Sequence, residues 1–571
     1  MFKLPPLRIA LRMSILAGAL TAIGACALLP FRPDSSATAP VLDGYGATTL
    51  MPAHANEAAR RLFAQGVAQA FAFNEFEAVR QFKAALAQDP ECVLCAWGVA
   101  WQLGPNINFT ERDDLTEAIQ HVDYALKHSA GASPRERALI ESLALRYGHI
   151  SEKRNIAPLQ AAVCGTPGSD VARVDPLDTA YADRMRMLVQ RFAGDADILS
   201  IYAEAEMVAT SGNYWEPISG KPVGRIGEVA DLIEAALVVH PEHVGLNHYM
   251  IHAADAVPVA ARAEAAADRL GKLAPKAPHL LHMPAHTYAH LGRYADATRV
   301  NQSAVAADEA RVLELQRQNF SFNKDWRFHN RHFQWYGALM EGRSSLALET
   351  ARAAALSLPG DYEYHEYFRS LPVLTLLRFQ RWDDLLKEPL PGGKQGMAIV
   401  LGEMSRGIAL ARTGQVVEAK AALARMEPVA AELIKKQVGM TTIPKRVRSI
   451  ANTGLSQLRA AIALAENRVD EALALQAEAV LAATDADSSE PPTLAAGALL
   501  MQATMQMQAQ RYAAAEQSFR TDLALHPRSG WALQGISMAL LKQGKQKEAQ
   551  ALKRELEQSW PLADGALRVL P

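Results

Sequence analysis

Apolar and small residues along the chain follow a helical pattern. Alanine is abundant, and runs in which Val, Ile or Thr alternate with polar residues are scarce, so the sequence predicts an all-α protein. In the stretch from Arg60 to Pro90, Gly66, Ala78, Phe82 and Ala85 stand where two consecutive helices would touch. Small residues let helices approach closely, and Phe82 is expected to fill the gap beside the next pair.

Turn motifs recur after similar segments along the chain. They are centred on Gly292, Gly342, Gly414 and Gly544, and Gln510 takes the place of the glycine in another copy. This skeleton resembles the tetratricopeptide repeat (TPR), a helix-turn-helix unit of about 34 residues. The resemblance covers nearly the whole chain after its first segment and implies a right-handed TPR-type α-solenoid of stacked repeats.

A pair of histidines is repeated at the length of one such unit. His248 and His252 lie four residues apart, and 34 residues later His282 and His286 repeat that spacing. Residues four apart lie on one face of a helix, and equivalent positions of stacked repeats are neighbours in space. The spacing therefore predicts up to four imidazoles in one pocket.

Further histidines fall on the same face of three successive repeats. With Gly292 and Gly342 as inter-helix turns, the repeats start at Val244, Pro278 and Phe328. In TPR proteins, the first-helix positions that these histidines occupy line the concave, ligand-binding groove. The candidate metal ligands are His248, His252, His279, His282, His286, His290, His329 and His332.

The candidate ligands are nearly all imidazoles, which suit copper, zinc, iron and nickel. Two helical histidine pairs, each with a third histidine from elsewhere, resemble the constellation of dinuclear copper proteins such as tyrosinases and haemocyanins, on an unrelated fold. A copper centre, dinuclear by this resemblance, is the first expectation. Asp255, Glu242 and Asp325 are near in sequence and keep zinc and iron open. A histidine-rich groove for a peptide or an anion, and clustering by chance, are the alternatives without a metal.

Pro284 stands between His282 and His286. Proline lacks the backbone N–H of a helix interior, so it either kinks the helix here or begins a new one. In the second case, His279 and His282 would lie in the turn before it. Both arrangements disturb the helix where the ligands would be.

Residues 1–26 read as a signal peptide. Basic residues precede a short apolar core from Met13 to Ala22, and the segment from Ile23 to Cys26 resembles the lipobox of bacterial lipoproteins. The resemblance implies a lipid anchor on Cys26 and a periplasm-facing position in a Gram-negative-type envelope. An ordinary cleaved signal and an uncleaved anchor are the alternatives. Residues 27–54 are expected to be a flexible tether.

Cys92 and Cys95 form a CxxC pair in a chain that is expected to be exported. In an oxidising compartment this pair is expected to be a local disulfide or two buried thiols, and a redox-active or soft-metal site is the alternative. Ala96 stands where a haem-attachment motif needs a histidine.

Composition and the remaining motifs argue against several classes of function. A formal net charge of −2 without a long basic stripe argues against nucleic acid as a partner. P-loop, Rossmann glycine and H-E-x-x-H motifs are absent from the sequence. A Pro/Gly break at 389–393 separates residues 55–388, which hold the histidine cluster, from the plainer repeats of residues 397–571.

Several segments are similar to a group of bacterial exported TPR-domain proteins over roughly residues 55 to 345. These segments are Cys92–Gly98, Leu103–Asn108, Asn213–Trp215, Asn247–Ala253, His279–His286 and His329–Trp335. The resemblance supports the TPR architecture and singles out the histidine segments, but it implies no particular reaction.

Two classes of function follow from these observations. The first is a metal-dependent oxidoreductase, with copper as the expected metal and the groove as the substrate site. The second is a lipid-anchored TPR adaptor that binds a partner protein or peptide in the cell envelope. Metal storage or delivery lies between the two.

Overall fold

The structure is a computed structural model of the 571-residue chain. It describes residues 33–108, 114–148, 175–210, 212, 214–216, 219–320, 326–358, 362–435, 442–487, 490–493 and 497–565. Within these ranges the regular secondary structure is helical, apart from a single β-bridge between Trp215 and Pro222. The predicted all-α solenoid is confirmed.

Twenty-five α-helices are described, with two short 3₁₀ turns at Ser129–Gly131 and Ala260–Ala263. The first twelve are α1 (Glu57–Phe71), α2 (Glu75–Gln88), α3 (Val93–Gln102), α4 (Thr116–His128), α5 (Pro134–Arg146), α6 (Pro176–Arg191), α7 (Ala196–Ala209), α8 (Ile226–Val239), α9 (Val244–Ala253), α10 (Glu264–Leu273), α11 (Pro278–His282) and α12 (Pro284–His290). The others are α13 (Tyr294–Arg317), α14 (Arg327–Met340), α15 (Ser344–Ala355), α16 (Glu363–Arg378), α17 (Trp382–Lys387), α18 (Met397–Arg412), α19 (Val416–Lys435), α20 (Thr442–Ala465), α21 (Val469–Asp487), α22 (Gly497–Gln508), α23 (Tyr512–Leu525), α24 (Gly530–Lys542) and α25 (Gln546–Ser559).

Close packing of consecutive helices depends on glycine opposite an aromatic ring. The buried ring of Phe82 on α2 lies between α1 and α3, and a Cβ atom on Gly66 or Gly98 would come within 2.5 or 2.6 Å of it. Phe519 and Gly535 make the same kind of contact between α23 and α24. At these contacts the helices approach closely because one of them lacks a side chain there.

The inter-helix turns use the left-handed backbone conformation. Gly292, Gly342, Gly414 and Gly544 have φ between 71° and 82°, and Gln510 adopts φ 58° in the same role. Glycine enters this region without steric cost, and this explains why it marks most of the turns. The turns fall where the sequence pattern predicts them.

The predicted repeat register agrees with the helix starts. Helix α9 begins at Val244 and α11 begins at Pro278, as the 34-residue spacing predicts. Helix α14 begins at Arg327, one residue before the predicted start. The three histidine-bearing segments are therefore first helices of their repeats.

Much of the predicted tether packs on the repeats. Leu50 is fully buried, the backbone N–H of Lys276 donates to the carbonyl of Gly44 at 2.9 Å, and the Thr48 hydroxyl donates to Asp197 at 2.7 Å. This part of residues 27–54 is a strap and not a flexible linker, because its polar groups are used and its apolar side chain is buried. Residues 1–32, with Cys26, lie outside the described part of the chain.

The C-terminal repeats pack against the middle of the solenoid. The indole N–H groups of Trp531 and Trp560 donate to the carbonyls of Leu339 and Met340 at 3.0 and 2.7 Å, at the end of α14. The N–H of Asp564 donates to the carbonyl of Gly342 at 3.0 Å. The chain therefore curves round so that its last repeats cap the turn after α14.

A membrane-crossing helix is not found among the described residues: each of their helices is too short or too polar to cross a bilayer.

Candidate metal centre

Four neighbouring segments supply the candidate ligands. Helix α9 carries His248 and His252, and α11 carries His279 and His282. His286 and His290 lie on α12, and His329 and His332 lie on α14. The spacing of three or four residues within each segment brings side chains of that segment to one face.

His248, His252 and His279 form the first triad. The Nε2 atom of His248 lies 3.1 Å from Nε2 of His279 and 3.1 Å from Nε2 of His252. All three side chains are buried. Imidazole nitrogens that bind one metal ion at about 2.0–2.1 Å lie about 3 Å from each other, so this triad has the spacing of a ligand set.

His282, His286 and His329 form the second triad. The Nε2 atoms of His282 and His286 lie 3.0 Å apart, and the His329 ring is 4.6 Å from that of His282. One nitrogen from each of the three rings falls within 4.8 Å of the others. This triad can therefore also hold one metal ion.

The two triads lie side by side. The ring centres of His279 and His282, one from each triad, are 6.1 Å apart. Trp326 lies against both triads, with its ring 5.0 Å from His279 and 6.0 Å from His329. Six imidazoles thus form one continuous centre divided into two sets of three.

Oxygen acceptors hold the outer ring nitrogens of three ligands. Nδ1 of His248 lies 2.7 Å from the carbonyl oxygen of Phe71, and Nδ1 of His282 lies 2.8 Å from Oδ1 of Asn301. Nδ1 of His286 lies 3.0 Å from Oδ2 of Asp255. Because these oxygens only accept, each Nδ1 must carry a proton, and Nε2 is therefore the atom of each ring that can bind a metal ion.

A phenylalanine ring packs against each triad. Phe73 lies 4.5 Å from the ring of His248 and 4.8 Å from that of His279. Phe333 lies 4.8 Å from His282 and 4.5 Å from His286. These rings exclude water from the imidazoles and limit their rotation.

Burial keeps four of the ligands neutral. It lowers the pKa of His252 and His282 to about 3 and holds the pKa of His248 and His329 well below the usual range. Only a neutral imidazole has the lone pair that binds a metal ion. At neutral pH these four side chains are therefore in the ligand form.

His286 differs because acidic groups face it. Burial would lower its pKa, but Asp255 and Glu490 raise it to about 10. Both carboxyl groups contact its Nδ1 atom, each at 3.0 Å. A metal ion that binds Nε2 would displace a proton there and leave the Nδ1–H bond to the carboxyl groups in place.

Two of the eight predicted ligands lie outside the triads. His290 is directed at Asp255, with Nε2 3.0 Å from Oδ1. His332 is directed away from the centre, with Nε2 2.7 Å from the hydroxyl of Tyr367. Of the four histidines that compete for the remaining ligand positions, His279 and His329 therefore join the triads, whereas His290 and His332 contact other polar groups.

Pro284 begins a new helix and does not kink a continuous one. It is the first residue of α12, and α11 ends at His282. Proline is well tolerated at this position because the N–H that it lacks would have no helical partner. The break places His282 and His286 on two short segments that still lie on one face.

Cys92 and Cys95 form a disulfide at the start of α3. Both cysteines are buried. In this state the pair has no thiolate for a soft metal, and of the predicted alternatives the structure therefore has the local disulfide.

Several residues of the centre carry no signal in the sequence. Asn301 lies on α13, outside any histidine motif, and Glu490 lies 204 residues after His286. Asp255 is close to the histidines in sequence, but it binds the outer nitrogen of His286. Among the described residues, Glu242 joins neither triad, and Asp325 lies outside the described residues.

No protein-family model and no curated protein matches the chain. Solved structures that resemble it include the human IFIT1 dimer with m7Gppp-AAAA, at 10% identity and a TM-score of 0.30 over 82% of this chain and 90% of that one. The P58(IPK) TPR domain has 12% identity and a TM-score of 0.22 over 85% and 99%. Yeast Tom70 has 12% identity and a TM-score of 0.22 over 88% and 91%. Scores this low carry no information about the histidine centre.

Proposed function

We propose that the two triads bind two metal ions, one each, and that the protein is a metal-dependent oxidoreductase. The observation that carries this proposal is the arrangement of six imidazoles, five of them buried and one half-buried, in two adjacent sets of three. The Nε2 atoms of neighbouring rings face each other at 3.0–3.1 Å in both triads, which is close to the spacing of nitrogens that bind one ion. One ion in each triad would be bound by the ring nitrogens of its three histidines.

Copper is the metal that we propose for this centre. Imidazole suits copper, zinc, iron and nickel, whereas non-haem iron sites usually include a carboxylate ligand. The carboxylates beside the centre, Asp255 and Glu490, contact the outer nitrogen of His286 instead of entering the second triad. Copper would supply one-electron and dioxygen chemistry when bound.

The protein groups around the centre have defined tasks in such a reaction. Phe71, Asn301 and Asp255 fix the ligand rings through their outer nitrogens. Phe73 and Phe333 exclude water from the two triads. These contacts preorganise the ligands, so metal binding does not have to order them.

Metal analysis of the protein without a histidine tag tests this proposal. We expect two coppers per chain, and we expect His248→Ala and His282→Ala to lose one each. The exposed His54 offers a matched control, and His54→Gln should keep both ions. One zinc or iron per chain would remove the copper chemistry, and folded protein that binds no metal would remove the centre altogether.

An adaptor role is the second candidate, and the repeat architecture favours it. Stacked helical repeats present extended concave surfaces that suit a protein or peptide partner. An adaptor would capture such a partner equally well before and after treatment with a chelator. Metal storage or delivery would instead show reversible release of the ions without turnover.

Export and lipid anchoring at Cys26 belong to the same proposal. The buried Cys92–Cys95 disulfide supports an oxidising compartment, because such bonds persist outside the cytosol. Labelling with a radioactive fatty acid, with Cys26→Ser as the control, tests the anchor. Incorporation that is unchanged in the variant would contradict it.

A further inference from the structure

A third group of ligand-type side chains lies beside the two triads. Oδ1 of Asp255 is 3.0 Å from Nε2 of His290, and Oδ2 of Asp255 is 3.0 Å from Nδ1 of His286. Glu490 approaches from the loop after α21, with Oε2 3.0 Å from the same Nδ1 atom. One ligand atom from each of Asp255, His290 and Glu490 falls within 4.8 Å of the others.

The two carboxyl groups compete for one hydrogen-bond donor. Nδ1 of His286 carries a single N–H, yet oxygens of both Asp255 and Glu490 lie 3.0 Å from it. Two carboxylates this close repel each other unless a positive charge lies between them. A protonated His286 supplies one such charge for the two carboxyl groups, and a divalent cation shared with His290 would supply more.

Two members of this group are more exposed than the innermost ligands of the triads. The side chains of His290 and Glu490 are 23% and 28% exposed, whereas His248 and His282 are fully buried. A cation here could enter from solvent and keep water in its remaining positions. One imidazole with two carboxylates suits a harder divalent ion than six imidazoles do.

We propose that Asp255, His290 and Glu490 bind a third divalent cation, of the manganese or zinc class, separate from the ions of the triads. Its ligands come from the end of α9, the end of α12 and the loop after α21. The cation would join the C-terminal repeats to the histidine centre. It would also fix Asp255, which holds the outer nitrogen of His286.

Titration with Mn²⁺, followed by electron paramagnetic resonance of the free ion, tests the site in the full chain. The metal-stripped wild type and the His248→Ala/His282→Ala variant should each bind one Mn²⁺, since manganese prefers oxygen ligands over the triads. Glu490→Gln and His290→Gln should each weaken this binding by roughly 10–100-fold or more. Glu548→Gln, at an exposed position of α25, is the matched control and should bind as the wild type does.

Two results would overturn the third site. Absence of Mn²⁺ binding would remove the site, and binding indifferent to both Glu490→Gln and His290→Gln would place the ion elsewhere. Circular dichroism of each variant shows whether it folds, and the two substitutions are independent of each other. Because the triad variant keeps this site, failure of the copper proposal would leave the Mn²⁺ result unchanged, and the reverse also holds.

Discussion

His248 and His282, 34 residues apart, are held in the same way by different partners. Each directs Nε2 at a neighbouring imidazole and Nδ1 at an oxygen, which is the backbone carbonyl of Phe71 for His248 and the side-chain amide of Asn301 for His282. A backbone acceptor cannot be removed by substitution, but a side-chain acceptor can. The two triads should therefore respond differently to mutation of the residue that accepts the hydrogen bond from Nδ1.

Asn301→Leu is expected to weaken metal binding at the second triad alone. Loss of the acceptor frees the ring of His282 and leaves its Nδ1–H buried without a partner, and such changes cost roughly 10–100-fold in metal affinity. Competition with a chelator of known affinity would show one ion bound with lower affinity and one ion bound with unchanged affinity. Asn301→Asp keeps an acceptor and should retain both, and equal weakening of both ions in the leucine variant would contradict the assignment.

Phe73→Ala is expected to disturb three ligands at once. The ring of Phe73 contacts His248 and His279 directly and lies 5.6 Å from that of His252. Truncation of a buried phenylalanine costs about 3–5 kcal/mol of unfolding free energy, and here it would also admit water to the first triad. Thermal unfolding with and without copper would show a lower midpoint and a smaller gain from the metal. Phe333→Ala should lower the midpoint and the stabilisation by copper in the same way, through the second triad. If copper stabilised either variant as much as it stabilises the wild type, the phenylalanine would not be needed to shield its triad.

The helical repeats and the shared face of the histidines could be predicted because each depends on a local rule. The 34-residue spacing places His248 and His282 at equivalent positions, and the turn glycines set the register. The third histidine of each triad, His279 for the first and His329 for the second, could not be predicted, since it depends on the tilt of neighbouring helices. Glu490 could not be predicted either, because the curvature of the whole solenoid brings it to His286.

The packing of Phe82 against Gly98 predicts a measurable coupling. A methyl group on Gly98 would lie 2.6 Å from the Phe82 ring, so Gly98→Ala overpacks the contact at a cost of about 1–3 kcal/mol. Phe82→Leu makes room, and the double variant should therefore lose less than the sum of the two single variants by about 1 kcal/mol or more. Urea unfolding of the wild type, the two single variants and the double variant measures this coupling as a double-mutant cycle. Gly497→Ala is the control, because a Cβ there meets nothing within 4 Å, and strict additivity of the pair would refute the contact.

Glu204 predicts a pH-dependent stability. This carboxyl group on α7 is buried beside Trp101, and burial raises its pKa from the ordinary value of 4.5 to about 7. Between pH 4.5 and 7 the unfolded chain has released the proton while the folded chain still holds it, so the contribution of Glu204 to stability falls as pH rises through this window. The loss is on the order of 3 kcal/mol above pH 7.

Glu204→Gln should remove this dependence because the amide does not ionise. We expect the variant and the wild type to have similar unfolding free energies near pH 4 and the variant to be more stable near pH 8. Urea unfolding across this range, with the exposed Glu548→Gln as a matched control, measures the difference between the two curves. A difference that does not change with pH would mean that Glu204 is ionised in the folded protein throughout, with its charge balanced by the buried Arg146, which lowers its pKa.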